Sequence, residues 1–222
     1  MAVNMASYYI PSESQLEKLT KLAQHFNTAY NDVLIGESFI NNDQLIIQIH
    51  KDNLLKFLEK LKITYGFQQL IDIIGVDYPA KVERFEVIYN LLNLSSNLRV
   101  MVKTFVGEQD YLESCSKLYT NSDWLEREIW DMFGIYFKNH KDLRRILTDF
   151  GFEGHPLRKD FPLVGFSEIY FDEINKNVAY KPVELDAEYR DYDYQNPWLK
   201  DIEVDTFKHL QEKDKVMKKL DD

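Results

Sequence analysis

The chain has 222 residues, of which 27 are Lys or Arg and 37 are Asp or Glu, so its formal net charge is −10 at pH 7. Hydrophobic residues make up 45% of it, which is typical of globular proteins. The acidic balance disfavours a nucleic-acid-binding protein, since that function requires an electropositive face. The single cysteine, Cys115, excludes an internal disulfide and a Cys-based zinc finger. It also cannot ligate an iron–sulfur cluster alone, because common clusters take four protein ligands.

Neither a membrane span nor a targeting peptide is recognisable in the sequence. The longest apolar runs are strand-sized, far below the roughly 20 residues that cross a bilayer. Residues 1–10 lack basic charge and a long apolar stretch, so they resemble neither a secretory signal nor a transit peptide. Residue types with AT-rich codons are abundant, which indicates an organelle or a reduced bacterium. We expect a chain made where it works, or one that has lost a presequence.

The first fifth of the chain predicts a helix followed by a hairpin. Ser12 and Gln15 form a capping-box pattern, and apolar residues recur at helical spacing as far as Phe26. The apolar runs 33–40 and 45–49 flank a short Asn/Asp-rich turn, as in a β-hairpin.

A second helix and a three-stranded meander come next. Asp52 is predicted to cap the helix and Gly66 to end it. Residues 67–76, 84–92 and 98–106 are rich in β-branched and aromatic residues, and the last two runs alternate in polarity. This pattern predicts antiparallel strands with one buried face.

The second half of the chain is less regular. Residues 108–119 predict a short helix, and a third helix is predicted to start at 121–123 and to end at Gly134. Residues 138–166 show no sustained period and contain several Gly and Pro, which predicts a long functional loop. A last hairpin is predicted within 169–185.

These elements predict an α+β fold, with helices packed on a small mixed or antiparallel sheet. A long irregular loop and an extended C-terminal tail follow. The predicted divisions are an α+β domain (1–136), an Arg- and Phe-rich loop with the last hairpin (137–185), and an acidic tail (186–222). Residues 168–205 hold 11 acidic and 4 basic side chains, so most of the negative charge lies near that tail. We expect the tail to lie against a basic or polar surface of a partner.

A cluster of charged residues marks the third predicted helix: Glu126, Arg127, Glu128 and Asp131. Glu128 and Asp131 share a helix face, so they could form an acid/base pair or a metal site. We favour ion pairing with the arginines of the following loop, because Arg pairs bidentately with carboxylates. These arginines are Arg144, Arg145 and Arg158.

A metal site is a second alternative, formed from His140, Asp142, His155 and Asp160. Histidine and carboxylate are acceptable zinc ligands. The spacing lacks a paired-histidine motif, so hydrogen-bonded loop histidines are the interpretation we favour. No Gly-rich phosphate-binding loop is present, which argues against direct binding of NADH or ATP.

Four of the seven arginines lie between Arg127 and Arg158, interleaved with Phe and Trp. Arginine with aromatic residues is typical of an interface core. A domain core with local ion pairs has the same composition, so residue types alone leave both interpretations open.

Residues 124–165 carry a resemblance that composition cannot provide. They read WLEREIWDMFGIYFKNHKDLRRILTDFGFEGHPLRKDFPLVG. This stretch closely resembles the 30-kDa subunit family of proton-pumping NADH:quinone oxidoreductase, respiratory complex I. Upstream, Asp72–Pro79 and Arg84–Val87 are similar to strands of the same family, so the resemblance covers about residues 65–175.

The resemblance implies a peripheral-arm subunit that supports electron transfer from NADH to ubiquinone but is not catalytic alone. It implies no cofactor on this chain, with FMN, iron–sulfur clusters and quinone held by partner subunits. The expected partners are other peripheral-arm subunits, especially those forming the quinone pocket. The expected location is peripheral on the inner membrane, on the mitochondrial matrix side or on the cytoplasmic face in a bacterium.

The resemblance also implies structural or partner-docking roles, and no catalytic, cofactor-binding or metal-binding role, for a set of residues. The set is Glu126, Arg127, Glu128, Asp131, His140, Asp142, Arg144, Arg145, Asp149, His155, Arg158, Lys159, Asp160 and Phe161. Two alternatives stay open: an equivalent subunit of a related hydrogenase- or photosynthetic-type complex, and a stand-alone metal-dependent enzyme. Because losing one partner of a buried charge pair costs about 3–5 kcal/mol, Arg144→Ala or Arg158→Ala is expected to harm assembly more than chemistry.

Overall fold

A five-stranded mixed sheet forms the centre of the computed structural model, which describes residues 13–41 and 43–184. Its strands are β1 (Phe39–Asn41), β2 (Gln44–Gln48), β3 (Gln69–Asp77), β4 (Phe85–Asn93) and β5 (Leu98–Val106). Their order across the sheet is β1-β2-β5-β4-β3. The β2–β5 pair is parallel and the other pairs are antiparallel.

Three helices accompany this sheet: α1 (Glu13–Ala29), α2 (Leu54–Ile63) and α3 (Ser122–Phe133). Side chains at helical spacing from each of them join one hydrophobic core with the sheet. Along β5 every second residue is buried, as expected of a strand with one face on the core. The predicted α+β fold, with helices packed on a small mixed sheet, is confirmed.

Two short pairings complete the described structure. β6 (Tyr111–Glu113) pairs in parallel with β7 (Tyr136–Lys138), and β8 (Ser167–Asp172) pairs with β9 (Asn177–Pro182). The segment 139–166 contains neither helix nor strand, so the predicted long loop and last hairpin are confirmed. We call residues 139–166 the connecting loop.

Three local predictions are wrong. The helix predicted at 108–119 is strand β6 followed by turns, because Leu112 is buried between exposed neighbours and the strand pairs with β7. Asp52 does not cap α2; it lies in a 3-10 turn, and the N-cap position is Asn53. The first hairpin strand begins at Phe39, since residues 31–33 form a turn and Leu34 makes only an isolated antiparallel bridge to Ile49.

The elements up to Tyr180 form one compact unit, and a second unit begins at Lys181. The predicted acidic tail, 186–222, lies outside the described residues, as does the predicted cap at Ser12. The three domain boundaries therefore stay predictions. Within the described ranges, no helix is long and apolar enough to cross a membrane.

Candidate functional site

Asp131 of α3 anchors the middle of the connecting loop. One carboxylate oxygen accepts hydrogen bonds from the amides of Ile146, Leu147 and Thr148 at 3.1, 2.8 and 2.9 Å. The other accepts from Arg145 Nη1 at 2.7 Å and from Thr148 Oγ1 at 2.5 Å. Burial alone would raise the pKa of Asp131, but these bonds from Thr148, Arg145 and Leu147 hold it well below its usual range.

Arginine side chains hold the same loop through its carbonyl groups. Arg127 donates from Nε to the carbonyl of Arg144 at 3.1 Å and from Nη2 to that of Arg145 at 3.2 Å. Arg145 Nη2 donates to the Gly154 carbonyl at 2.9 Å. Because the loop has no regular backbone pairing, these side chains replace the hydrogen bonds that a helix or strand would supply.

A second group of charges holds the loop at residues 158–160. Asp77, at the end of β3, is buried and accepts two bonds from Arg84, at 2.7 and 2.9 Å, and one from the Lys159 amide at 2.8 Å. Arg84 also pairs with Asp160 at 2.9 Å. The Arg84 guanidinium lowers the pKa of Asp77, and the hydrogen bond from the Lys159 amide lowers it further. Burial acts in the opposite direction but is the smaller effect.

Arg158 and His155 pack against the end of α3. Arg158 Nε donates to the Phe133 carbonyl at 2.6 Å, and Nη1 pairs with Glu108 at 2.8 Å. His155 Nδ1 lies 3.0 Å from the Asp131 carbonyl, and burial lowers the pKa of its imidazole. Gly134 makes this packing possible: its φ is +78°, and a Cβ there would lie 2.6 Å from Arg158 Nη2.

Glu126 and His140 form a buried group on another side of α3. One Glu126 oxygen accepts from the Cys115 amide at 2.7 Å, and the other lies 3.9 Å from His140 Nε2. His140 Nδ1 accepts from the Asp142 amide at 3.1 Å, so its proton is on Nε2, which donates to the Asp123 carbonyl at 3.1 Å. Burial raises the pKa values of Glu126 and of the Cys115 thiol. A buried carboxyl group that accepts a backbone amide bond and a buried thiol suit a structural group.

The structure separates the candidates for acid/base and metal chemistry. Asp131 is saturated by loop donors, while Glu128 is exposed and makes no polar contact within the described residues. Arg145 forms the expected ion pair with Asp131, but Arg144 pairs with Asp142 and Arg158 with Glu108. The four possible metal ligands have different partners, and no three His, Cys, Asp or Glu converge as a metal site in the described part of the chain.

The remaining candidates lie on the outer side of the loop. The Asp149 carboxylate accepts from Tyr180 Oη at 2.6 Å. The Phe161 ring packs on Phe152 and Phe166, with centroids 5.9 and 5.5 Å away. These rings line an open cavity of about 440 Å³.

Sequence reasoning missed three members of the site: Asp77, Arg84 and Glu108. Asp77 and Arg84 flank the turn between β3 and β4. Opposite charges at the two ends of a turn could have predicted that they form an ion pair. Glu108 follows β5 and carries no such signal. Its role depends on Arg84 and Arg158 meeting at this point of the fold.

An exposed apolar surface covers the outer side of the loop and the last hairpin. Of the 24 large hydrophobic side chains that are exposed in the described residues, 12 lie between residues 147 and 180. Phe150 is 98% exposed and Leu163 is 82% exposed. Such a concentration of exposed apolar side chains in one stretch of chain is expected of an interaction site.

Residues 47–167 match the family model described as the respiratory-chain NADH dehydrogenase 30 kDa subunit. The chain belongs to this family. The matched range includes β3, β4, β5, α3 and the whole connecting loop.

Individual relatives extend the match beyond the family model. The C subunit of the NADH-quinone oxidoreductase of Maricaulis maris is 47% identical over 184 residues, covering 82% of this chain and 92% of the relative. Its counterpart in Agrobacterium fabrum is 45% identical with the same coverage. A chain in the structure of an archaeal membrane-bound sulfane sulfur reductase has a similar fold, with a TM-score of 0.58 and 24% identity, over 66% of this chain and 87% of that one.

Proposed function

We propose that this chain is a peripheral subunit of a proton-pumping NADH:quinone oxidoreductase, in which it positions neighbouring subunits. The observation that carries this role is the apolar surface of residues 147–180, whose loop portion is held by buried carboxylates, in a chain of a respiratory-complex subunit family. A surface fixed in this way can bind a partner without first ordering itself, which lowers the entropic cost of binding.

The proposal assigns the chemistry of the complex to other chains. The charged residues that could act as acids, bases or ligands are mostly engaged in bonds that hold the connecting loop. We therefore propose that FMN, the iron–sulfur clusters and quinone bind to partner subunits, and that this chain contributes spacing. The finer assignment, that the apolar surface faces the subunits forming the quinone pocket, is part of the same proposal.

The proposed location follows from the partners. The chain would sit on the cytoplasmic face of a bacterial inner membrane, or on the matrix side in a mitochondrion, bound to the complex through other subunits. Maricaulis maris and Agrobacterium fabrum are bacteria, which favours the first of these. The composition of the sequence is compatible with both.

Native purification tests the proposal. The tagged chain is expected to copurify with subunits that carry NADH-dependent and quinone-reducing activity, identified by mass spectrometry. Phe150→Asp is expected to reduce that recovery strongly, because it places a charge in a desolvated interface. Val82→Asp is the matched control, since Val82 is 99% exposed but lies outside the apolar surface.

Two results would contradict the proposal. Equal recovery of partners with Phe150→Asp and wild type would show that the apolar surface is not the docking site. Copurification with the subunits of a hydrogenase- or sulfur-reducing complex, without an NADH-oxidising subunit, would assign the chain to that related complex instead.

A further inference from the structure

A cleft beside the apolar surface is lined by three arginines of the connecting loop and α3. Arg127, Arg144 and Arg145 face a volume of about 450 Å³ whose other walls include Ile146 and Phe150. Asp149 is the one acidic residue in the lining. The lining therefore holds three positive groups and one negative group, although Arg144 and Arg145 are paired with Asp142 and Asp131 outside it.

The Arg127 charge is not neutralised by any acid in the described part of the chain. Its guanidinium donates to two loop carbonyls and lies 5.8 Å from the Trp124 ring centroid. The two carbonyl groups accept hydrogen bonds from it but supply no counter-charge. A half-buried guanidinium without a carboxylate is an unusual arrangement for a residue type that pairs so readily.

Arg144 presents its terminal nitrogens to the solvent beside this charge. Its side chain is 71% exposed, and its ion pair is with Asp142, 3.0 Å from Nε. Within the described residues, Nη1 and Nη2 make no hydrogen bond, which leaves two parallel donors for a carboxylate. The Arg144 backbone is held in place by Arg127, so the donors extend from a fixed point of the loop.

We infer that this cleft receives an Asp or Glu side chain of a neighbouring subunit, whose carboxylate pairs with Arg144 in the field of Arg127. This inference rests on the proposed function, since it identifies the chemistry of the partner at the same docking surface. A single carboxylate fits better than a phosphate group, because the Asp149 carboxylate also lines the cleft and would repel a dianion.

The aromatic rim agrees with a protein partner. Phe150 lines the cleft and Trp124, 65% exposed, stacks near Arg127. An acidic side chain entering beside the Phe150 ring brings methylene groups that pack on it, and the surrounding contacts exclude water from the ion pair. Desolvation then strengthens the pairing relative to a surface salt bridge.

Zero-length cross-linking of the intact complex tests the inference. The variant Asp142→Asn/Arg144→Lys places an amine in the cleft and removes its intrachain acid, so a carbodiimide can couple position 144 to a contacting carboxylate of another chain. The matched control is Asp43→Asn/Arg99→Lys, which alters an ion pair that lies outside the cleft. We expect an intersubunit amide bond from position 144 and none from position 99, with mass spectrometry identifying the partner acid.

A charge swap provides the second measurement. Arg144→Glu is expected to weaken association with the complex about 30-fold, the loss expected when a desolvated interfacial pair is broken. Replacing the cross-linked acid of the partner with Arg should restore binding to Arg144→Glu. Rescue of this kind is not expected from a variant that merely disturbs folding.

The outcomes separate the two proposals. If wild type copurifies with the complex but position 144 gives no intersubunit product and Arg144→Glu binds normally, the cleft assignment is wrong and the proposed function stands. If anionic phospholipid vesicles alone protect the amine of the Arg144→Lys variant from an amine-acylating reagent, the cleft binds a lipid phosphate and the inference is overturned. If wild type does not copurify with the complex at all, the proposed function fails first.

Discussion

The sheet and the connecting loop are stabilised by different interactions. In the sheet, alternate residues of β4 and β5 enter a continuous apolar core that also takes side chains from all three helices. In the loop, residues 139–166 form no strand or helix, and several of their backbone groups bond to buried carboxylates and to arginine side chains. The sheet is stabilised mainly by the burial of apolar surface, and the loop is stabilised by a few hydrogen bonds and ion pairs.

The sheet and the loop differ in how strongly a single mutation destabilises them. Core burial is shared among many side chains, so the truncation of one side chain is partly compensated when its neighbours relax. The loop depends on Asp131 and Asp77, each of which accepts several bonds at once. Removing one acceptor leaves several donors unsatisfied, which is expensive in a buried setting. The loop also carries the docking surface, so its rigidity matters for binding.

The largest expected effect is that of Asp131→Ala. It leaves Arg145 and three loop amides without their acceptor, and breaking a buried charge pair costs about 3–5 kcal/mol. We expect proteolysis within residues 139–166 to accelerate at denaturant concentrations where the sheet is intact. Leu58→Ala, which removes a fully buried core side chain, is the control and should lower global stability without selective loop cleavage. Equal cleavage in both variants would contradict separate stabilisation of the two regions.

Acid should loosen the loop before it unfolds the sheet. The pKa values of Asp131 and Asp77 are lowered in the folded chain, so the stability they contribute is complete above the unfolded value of about 3.9 and is lost as pH falls through the folded values. Glu126 has the opposite sign: its pKa is raised, so its contribution is lost as pH rises. Hydrogen exchange followed by mass spectrometry, corrected for intrinsic rates, should show loop protection falling on acidification. Asp131→Asn should make the protection of the loop depend less on pH. Protection of the wild-type loop that does not change on acidification would contradict this prediction.

Gly134→Ala tests the junction between the two regions. An alanine at φ +78° costs about 1–2 kcal/mol from the backbone alone, and its Cβ would also displace Arg158 and His155. Gly151→Ala is a matched control, because its φ is +86° but an added Cβ there would have no atom within 4 Å. We expect Gly134→Ala to have a lower melting temperature than Gly151→Ala in thermal unfolding. Identical melting temperatures would mean that the packing of Arg158 and His155 contributes little.

The smallest expected effect on the isolated chain is that of Arg144→Ala. The premise that Arg144 belongs to a buried pair is wrong, since its side chain is 71% exposed and Asp142 is 60% exposed. Surface pairs contribute about 0–1 kcal/mol, so urea unfolding should barely change. Arg158→Ala should destabilise more, because that side chain is 18% exposed and binds both Phe133 and Glu108. Both variants are expected to lower assembly of the complex more than its chemistry. A fully assembled complex that has lost quinone reduction would contradict this.

Much of the fold was predictable because its signals are local. The period of apolar residues predicts α1, α2, α3 and strands β3 to β5, and Gly134 ends its helix as its type suggests. The error at residues 108–119 has a physical reason: β6 is three residues long, and it is a strand only because β7 is beside it. No local period distinguishes so short a strand from a helical turn.

Most members of the candidate site were predictable, but Asp77, Arg84 and Glu108 were missed and most of the pairing was not predicted. Arg145 and Asp131 meet as expected, whereas Arg144 and Arg158 have partners that spacing did not suggest. Glu108 and Asp77 join the site from distant positions in the chain, and only the packing of the loop on the sheet end brings them to Arg158 and Lys159.

By itself, the sequence determined the fold class, the position of the long loop and membership of the 30 kDa subunit family. These depend on periodicity and on a contiguous motif, which are properties of neighbouring residues. Only the tertiary structure decided which charges are saturated inside the loop and which, like Arg127 and Arg144, lack a full complement of partners among the described residues. The physical reason is that a long charged side chain has many possible partners in sequence, and the fold alone selects those within hydrogen-bonding distance.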